Sequence, residues 1–263
     1  MKSELMIAGV PVFVEGDGDE TILMLHGWPD THRVWDKQVA FFKKNYRCAT
    51  LTLPGFGEQG QAKGYTLDHL MSVLGQVVDQ VSPGQKVTLM LHDWGCVFGY
   101  QFAMLHPERV ARIIAIDVGD ANSPAFEKEL SLVAKGMVFA YQNTLALAWY
   151  LGGAVGDAIT KGMSKALQGK AEPRYVHSGM NYPYAMRWMG AHGSLDALRQ
   201  VEPACPFFYA FGRKKPFMFQ SRVWTDKLSK SPGNVVRSFD SGHWVMIDSA
   251  DEFNKAVAGW LAA

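Results

Sequence analysis

Residues 86–110 read KVTLMLHDWGCVFGYQFAMLHPERV, and this stretch decides the architecture. Lys86 to Leu91 read as a buried strand, apolar from Val87 onward apart from Thr88. From Cys96 to Leu105 apolar residues recur at helical spacing, and His106-Pro107 closes that helix. Between strand and helix lies a turn with the order small or apolar, any, nucleophile, any, glycine. Its central residue is Asp93, and Gly95 lets the helix pass close to the strand. Such an elbow exposes its central side chain on a strained turn. A carboxylate there suits attack on an sp³ carbon, giving an alkyl ester that water later hydrolyses, and not the acyl transfer of proteases and lipases. The alternative is that Asp93 merely caps the helix starting at Trp94. The complete elbow pattern around it favours the nucleophile.

The chain has 263 residues, 48% hydrophobic, enough for one α/β domain with an insertion or at most two domains. With 26 basic and 25 acidic residues, it carries no charge footprint for nucleic acid or an anionic membrane. Cys48, Cys96 and Cys205 are too scattered for a disulfide framework or a metal cluster, so reduced thiols and a cytoplasmic protein are expected, with no metal. The opening MKSELMIAGVPVFVEG interleaves charge with apolar residues, and neither a signal peptide nor a membrane span is expected.

Along the chain, strand and helix patterns alternate, as in a mostly parallel, twisted sheet flanked by helices. Strands are expected at Leu5–Ala8, Val10–Val14, Thr21–Leu25, Tyr46–Leu53, Val110–Asp117, Phe207–Phe211 and Val235–Phe239. The first two should form a hairpin turning at Gly9. Helices are expected at Thr31–Lys44, Thr66–Val81, Phe219–Ser229 and from Asp251 onward. Between residues 122 and 201 the alternation stops, and the segment is helical and rich in Met, Trp and Tyr. The division predicted is a core of 1–121 and 202–263 carrying a helical cap at 122–201.

His26-Gly27-Trp28-Pro29, then the Asp93 elbow, the helical insertion, and a late Gly242-His243 follow in that order. In this order and spacing the chain resembles the α/β-hydrolase fold, specifically the branch of epoxide hydrolases and haloalkane dehalogenases. The resemblance implies cofactor-independent hydrolysis of a small apolar epoxide or alkyl halide by a monomer or homodimer. It implies that His243, placed after the last strand, activates the water that hydrolyses the Asp93 ester. Backbone N–H groups of Trp28 and Trp94 would hold the developing oxyanion, with Pro29 fixing the loop's path. His26 and His92 flank the two motifs and are expected to hold loops through hydrogen bonds.

Relatives often carry the acid that orients the histidine in a Gly-x-x-Asp-Pro pattern. This chain reads Gly212-Arg213-Lys214-Lys215-Pro216, with Lys215 in the acid's place, and a lysine cannot support an imidazolium. The acid is therefore absent or has moved to Asp117, with Asp120 as the alternative. Epoxide opening further needs proton donors for the alkoxide. The resemblance places one at Tyr141 and the other at Tyr184, or at Tyr182 on the far side of Pro183. Trp149, Tyr150 and Trp188 are expected to build apolar pocket walls. The run Arg213-Lys214-Lys215 reads as a solvated loop, and the methionines of the insertion as an adaptable pocket lining. A non-catalytic, ligand-binding descendant of the fold is the third reading, motivated by Lys215.

Overall fold

The computed structural model describes residues 2–57 and 64–263. Strands β1 (Lys2–Ile7) and β2 (Val10–Glu15) pair antiparallel across Ala8 and Gly9, both at positive φ. The remaining strands are β3 (Thr21–Leu25), β4 (Arg47–Leu51), β5 (Val87–His92), β6 (Val110–Ile116), β7 (Phe207–Gly212) and β8 (Val235–Phe239). They form one sheet in the order β1-β2-β4-β3-β5-β6-β7-β8, parallel from β4 to β8. The chain runs outward from β3 to β4, then crosses back to β5 on the other side. That reversal creates a crevice between β3 and β5, where open parallel sheets place their sites.

The central strands are apolar throughout because helices cover both faces. Alternation divides their side chains. Leu23, Leu25, Leu89, Leu91, Ile113, Ala115, Phe207 and Tyr209 pack on one face against α2 (Leu67–Val81) and α3 (Trp94–Leu105). Ile22, Met24, Met90, Ile114, Ile116, Phe208 and Ala210 pack on the other against α1 (Asp36–Phe42), α9 (Val245–Asp248) and α10 (Ala250–Leu261). The helical pattern expected over Thr31–Lys44 divides into a 3-10 turn at His32–Trp35 and α1, because Thr31 caps the turn through Arg33 N–H. Every expected strand is present, and α9 is an extra single turn.

Between β6 and β7 the chain is helical: α4 (Pro124–Glu129), α5 (Leu132–Leu151), α6 (Gly153–Ala166) and α7 (Tyr182–Met189). Ser123 and Ser131 cap the first two of these, each accepting a hydrogen bond from an amide three residues on. One buried polar chain fastens the insertion to the core. Trp28 Nε1 donates to Asn181 Oδ1, Asn181 Nδ2 to Thr160 Oγ1, and Thr160 Oγ1 to the Gly156 carbonyl, each at 2.7 Å. The α8 helix (Arg222–Lys230) begins at a Ser221 cap and lies between β7 and β8 in sequence. Among the described residues no helix is long and apolar enough to cross a membrane.

Gly95 is the tightest packing point of the elbow. A Cβ there would overlap the Leu25 carbonyl oxygen and lie 2.6 Å from that of His26, and backbone cannot yield as a side chain would. Gly95→Ala is therefore expected to destabilise the protein by about 2 kcal/mol or more. Gly136→Ala, in the exposed interior of α5 with open space around it, should stabilise by about 0.5–1 kcal/mol. Urea denaturation midpoints moving the same way in both variants would contradict this packing account.

Candidate active site

Asp93 sits at φ 52°, ψ −122°, a backbone conformation that costs free energy in a non-glycine residue. Its side chain makes no capping hydrogen bond to α3, so it is not acting as an N-cap. Oδ1 instead accepts from the Trp28 backbone N–H at 2.6 Å. Gly27 makes the approach possible, since a Cβ there would overlap both Asp93 Oδ1 and the Trp94 nitrogen. The other oxygen, Oδ2, stands 3.5 Å from His243 Nε2.

His243 follows β8, and its Nδ1 meets Asp117 Oδ2. Asp117, fully buried at φ 70° after β6, divides its carboxylate between two neighbours. Oδ2 takes His243, while Oδ1 accepts from Gly212 N–H at 3.0 Å and from the Lys215 ammonium. Lys215 is thus no solvated residue: its side chain is 7% exposed, whereas Arg213 and Lys214 turn outward to Asp240. Asp120, the alternative acid, does not reach His243. It accepts from the Ser123 hydroxyl and from both the amide and hydroxyl of Ser221, fastening the starts of α4 and α8.

The electrostatics follow from this packing. Burial alone would lower the basicity of His243, but Asp117 and then Asp93 outweigh it and raise the imidazole to about 9. Burial likewise pushes the Asp93 and Asp117 carboxyls up. The hydrogen bond and charge of His243 reverse this for Asp93, and Lys215 with His243 does so for Asp117, leaving both below the usual carboxylate range. Beneath them, burial and the charge on His243 drive His92 down to about 3, so this ring is neutral. Its Nε2 meets the His243 carbonyl at 3.2 Å. Asp30, raised to about 7 by burial, accepts from Trp244 Nε1 at 2.8 Å. His26 Nε2 accepts from Leu53 N–H at 2.9 Å, fixing the loop after β4.

A cavity of about 80 Å³ opens above Asp93, lined by Trp94, Tyr141, Gln142, Tyr184, Arg187 and Phe219 among others. Tyr184 stands edge-on to Trp94 at 5.2 Å and to Tyr141 at 6.3 Å. Tyr182 is turned away, packed between Phe56 and Tyr65 with its hydroxyl unpartnered. The expected walls are different too. Tyr150 is largely exposed, Trp188 donates its indole N–H to Gln142, and neither Trp149 nor any methionine of the insertion lines the cavity. Leu195, Leu198 and Val201 line it instead. Trp28 directs its indole at Asn181 and not at the cavity.

The chain matches the alpha/beta hydrolase fold over residues 20–250. It belongs to the α/β-hydrolase fold family. Among curated proteins it is 32% identical over 105 residues to "Epoxide hydrolase 2" of Caenorhabditis elegans, covering 39% of this chain and 29% of that protein. It is 31% identical over 157 residues to "Epoxide hydrolase srdG" of Neurospora crassa, covering 57% of this chain and 44% of the relative. The matched stretch thus spans less than half of either relative. Among solved structures, an inhibitor complex of Bacillus megaterium epoxide hydrolase superposes with a TM-score of 0.74 at 21% identity, covering 99% of this chain and 100% of that one. At that identity the likeness is one of fold.

Lys215, Gln142, Arg187 and the Trp28–Asn181 bond were not readable as site features in the sequence. Only the lysine left a signal, as a cation in the position of an expected acid. The charge pattern also dictates a pH response. His243 has a folded-state pKa of about 9 against 6.5 for a free imidazole, so its pairing contributes stability fully below pH 6.5 and loses it as pH rises through 9. Urea unfolding across pH 6–10 should show that decline, and His243→Gln should flatten it. Equal slopes in the two proteins would refute the paired imidazolium.

Proposed function

We propose that this chain opens a small epoxide to a vicinal diol through an alkyl-enzyme ester on Asp93, without a cofactor. The observation that carries this reading is that Tyr141 and Tyr184 line the same cavity as Asp93. Nucleophile and proton donors therefore share one chamber. Burial holds both hydroxyls well above the usual tyrosine range, so they are neutral acids at working pH. The cavity is small beside the ~300–1,000 Å³ of ordinary ligand sites, and a compact, largely apolar substrate fits it best.

In the proposed sequence, Asp93 Oδ2 attacks an epoxide carbon and the carbon–oxygen bond breaks. The ring oxygen takes a proton from Tyr184 or Tyr141, and solvent or His243 returns one to the tyrosinate. Esterification erases the negative charge on Asp93, which had helped hold the proton on His243. The imidazole is then able to act as a base. It removes a proton from water, the resulting hydroxide adds to the ester carbonyl carbon, and the developing charge forms on Oδ1, already bonded to the Trp28 N–H. Collapse releases the diol and restores the carboxylate, for a net addition of one water. Asp117 orients the imidazole throughout.

The alkyl-halide reading needs a second indole N–H, or an Asn in the place of Trp28, to hold the leaving halide beside Trp94. Trp28 and Trp188 direct their indole N–H groups to Asn181 and Gln142, and Trp149 does not line the cavity. The epoxide reading is preferred on that ground. The non-catalytic reading rested on Lys215 as a lost acid, and Asp117 already occupies the imidazole's Nδ1 side.

Diol formation from styrene oxide, set beside chloride release from a chloroalkane panel, tests the substrate class. Asp93→Asn should abolish turnover, and His243→Gln should accumulate an alkyl adduct on the tryptic peptide containing Asp93. Absence of that adduct under turnover conditions would refute the ester. Tyr141→Phe and Tyr184→Phe should each slow ester formation by roughly 10–100-fold. Tyr182→Phe should leave it within about twofold. An equal loss in all three tyrosine variants would overturn the assignment of the donors.

A further inference from the structure

Asp117 sits between two cations, His243 on one oxygen and Lys215 on the other. Lys215 is almost fully buried, and its ammonium lies 5.5 Å from the centre of the Phe219 ring, which itself stands edge-on to His243 at 5.9 Å. The cation is thus inside the cluster, not at its rim. In the resting protein four charges alternate along one line: Asp93 negative, His243 positive, Asp117 negative, Lys215 positive. Their sum is zero.

Alkylation of Asp93 removes one negative charge and leaves three groups with a net charge of +1 in a buried place. The proton on the imidazole is the charge that can leave. Without Lys215, the same step would leave His243 and Asp117 as a neutral, self-sufficient ion pair. The imidazole would hold its proton more tightly, and the ester would be hydrolysed more slowly near neutral pH.

We propose that Lys215 is a positioning residue that acts through Asp117 to release the proton of His243 once Asp93 is esterified, making the imidazole a base for ester hydrolysis. This rests on the ester mechanism proposed above. The other groups facing His243 are the neutral His92 ring at 4.5 Å from the end of β5, Asp30 in the loop after β3, and the uncharged Phe219 and Trp244. Of these only Asp30, raised to about 7 by burial and by the charge of Asp93, can also respond to the ester step, and it is Lys215 that bonds directly to the acid orienting the imidazole. A purely structural ion pair would predict something else: loss of stability, with no change in the titration of His243.

The test uses Lys215→Gln, which keeps a donor to Asp117 without the charge, beside Lys215→Met and Lys215→Arg. In single-turnover reactions with styrene oxide, ester formation and ester hydrolysis are followed separately by quenched-flow mass spectrometry. Hydrolysis should slow by roughly 10–100-fold near pH 7 in the Gln variant, much more than ester formation, and recover as pH rises. Its acid limb should move up by about one to two pH units, and Arg should restore it. A limb that stays in place, with hydrolysis slowed equally at every pH, overturns the proposal. Imidazole ¹⁵N titration of ligand-free wild type and Gln variant gives a readout independent of catalysis. An upward shift of the His243 pKa supports the proposal, and an unchanged or lower value overturns it. If no ester forms on Asp93 even in the wild type, the proposed function fails while the titration still judges Lys215. Should Lys215→Met fail to fold, the Gln variant decides alone.

Discussion

The structure depends on one close contact, the passage of α3 beneath the carbonyls of Leu25 and His26. Gly95 permits it, and everything at the site is placed by it. The contact forces the chain through the left-handed turn at Asp93 and brings the Trp28 amide onto its carboxylate. It also lies beside the crevice created where the strand order reverses between β3 and β5. Backbone strain at Asp93 persists because two central strands and a helix over-determine the turn. In an isolated strand–helix junction the same residue would relax into an ordinary cap.

Charge is the second organising principle, and it too is local. A buried carboxylate is costly unless paired, and a buried ammonium equally so. Asp117 and Lys215 meet both demands at once, and His243 completes the row. Below this row burial disfavours charge: it keeps the His92 ring neutral and raises the Asp30 carboxyl to about 7. The cluster therefore has a charged upper layer facing the cavity and a lower layer, facing the core, in which burial disfavours charge.

The sequence made the strands legible because buried parallel strands are nearly continuous apolar runs, and Asp93 and His243 legible because each follows such a run. Other features depend on contacts that spacing cannot encode. Asp117 and Asp120 lie three residues apart in one loop, and only Ser123 and Ser221, the latter distant in sequence, reveal that Asp120 is a structural acceptor. Tyr182 and Tyr184 lie two apart at the start of α7, and residues two apart on a helix face different directions. Which one met the cavity depended on where Phe56 and Tyr65 packed. Lys215 misled because two neighbours in its run are indeed solvated. Trp149 and Tyr150 of α5 were expected as pocket walls, but the long exposed face of that helix leaves Tyr150 in solvent.

Trp28 links these levels. Its backbone N–H holds Asp93 Oδ1, and its indole N–H holds Asn181, at the entrance to α7. Asn181 immediately precedes the helix that carries Tyr184, and Thr160 ties it to α6. One residue therefore sets both the contact on Asp93, through its backbone, and the position of the helix bearing Tyr184, through its indole. Asp93 and Tyr184, which the proposed reaction brings onto one substrate, come from segments far apart in the chain, yet they share a single reference point. A displacement of the inserted helices relative to the sheet would have to break a buried 2.7 Å hydrogen bond at that point and leave its partners unsatisfied, which costs about 1–3 kcal/mol. The spacing between Asp93 and Tyr184 is thus held by the residue that, in the proposed reaction, also receives the charge developing on Oδ1.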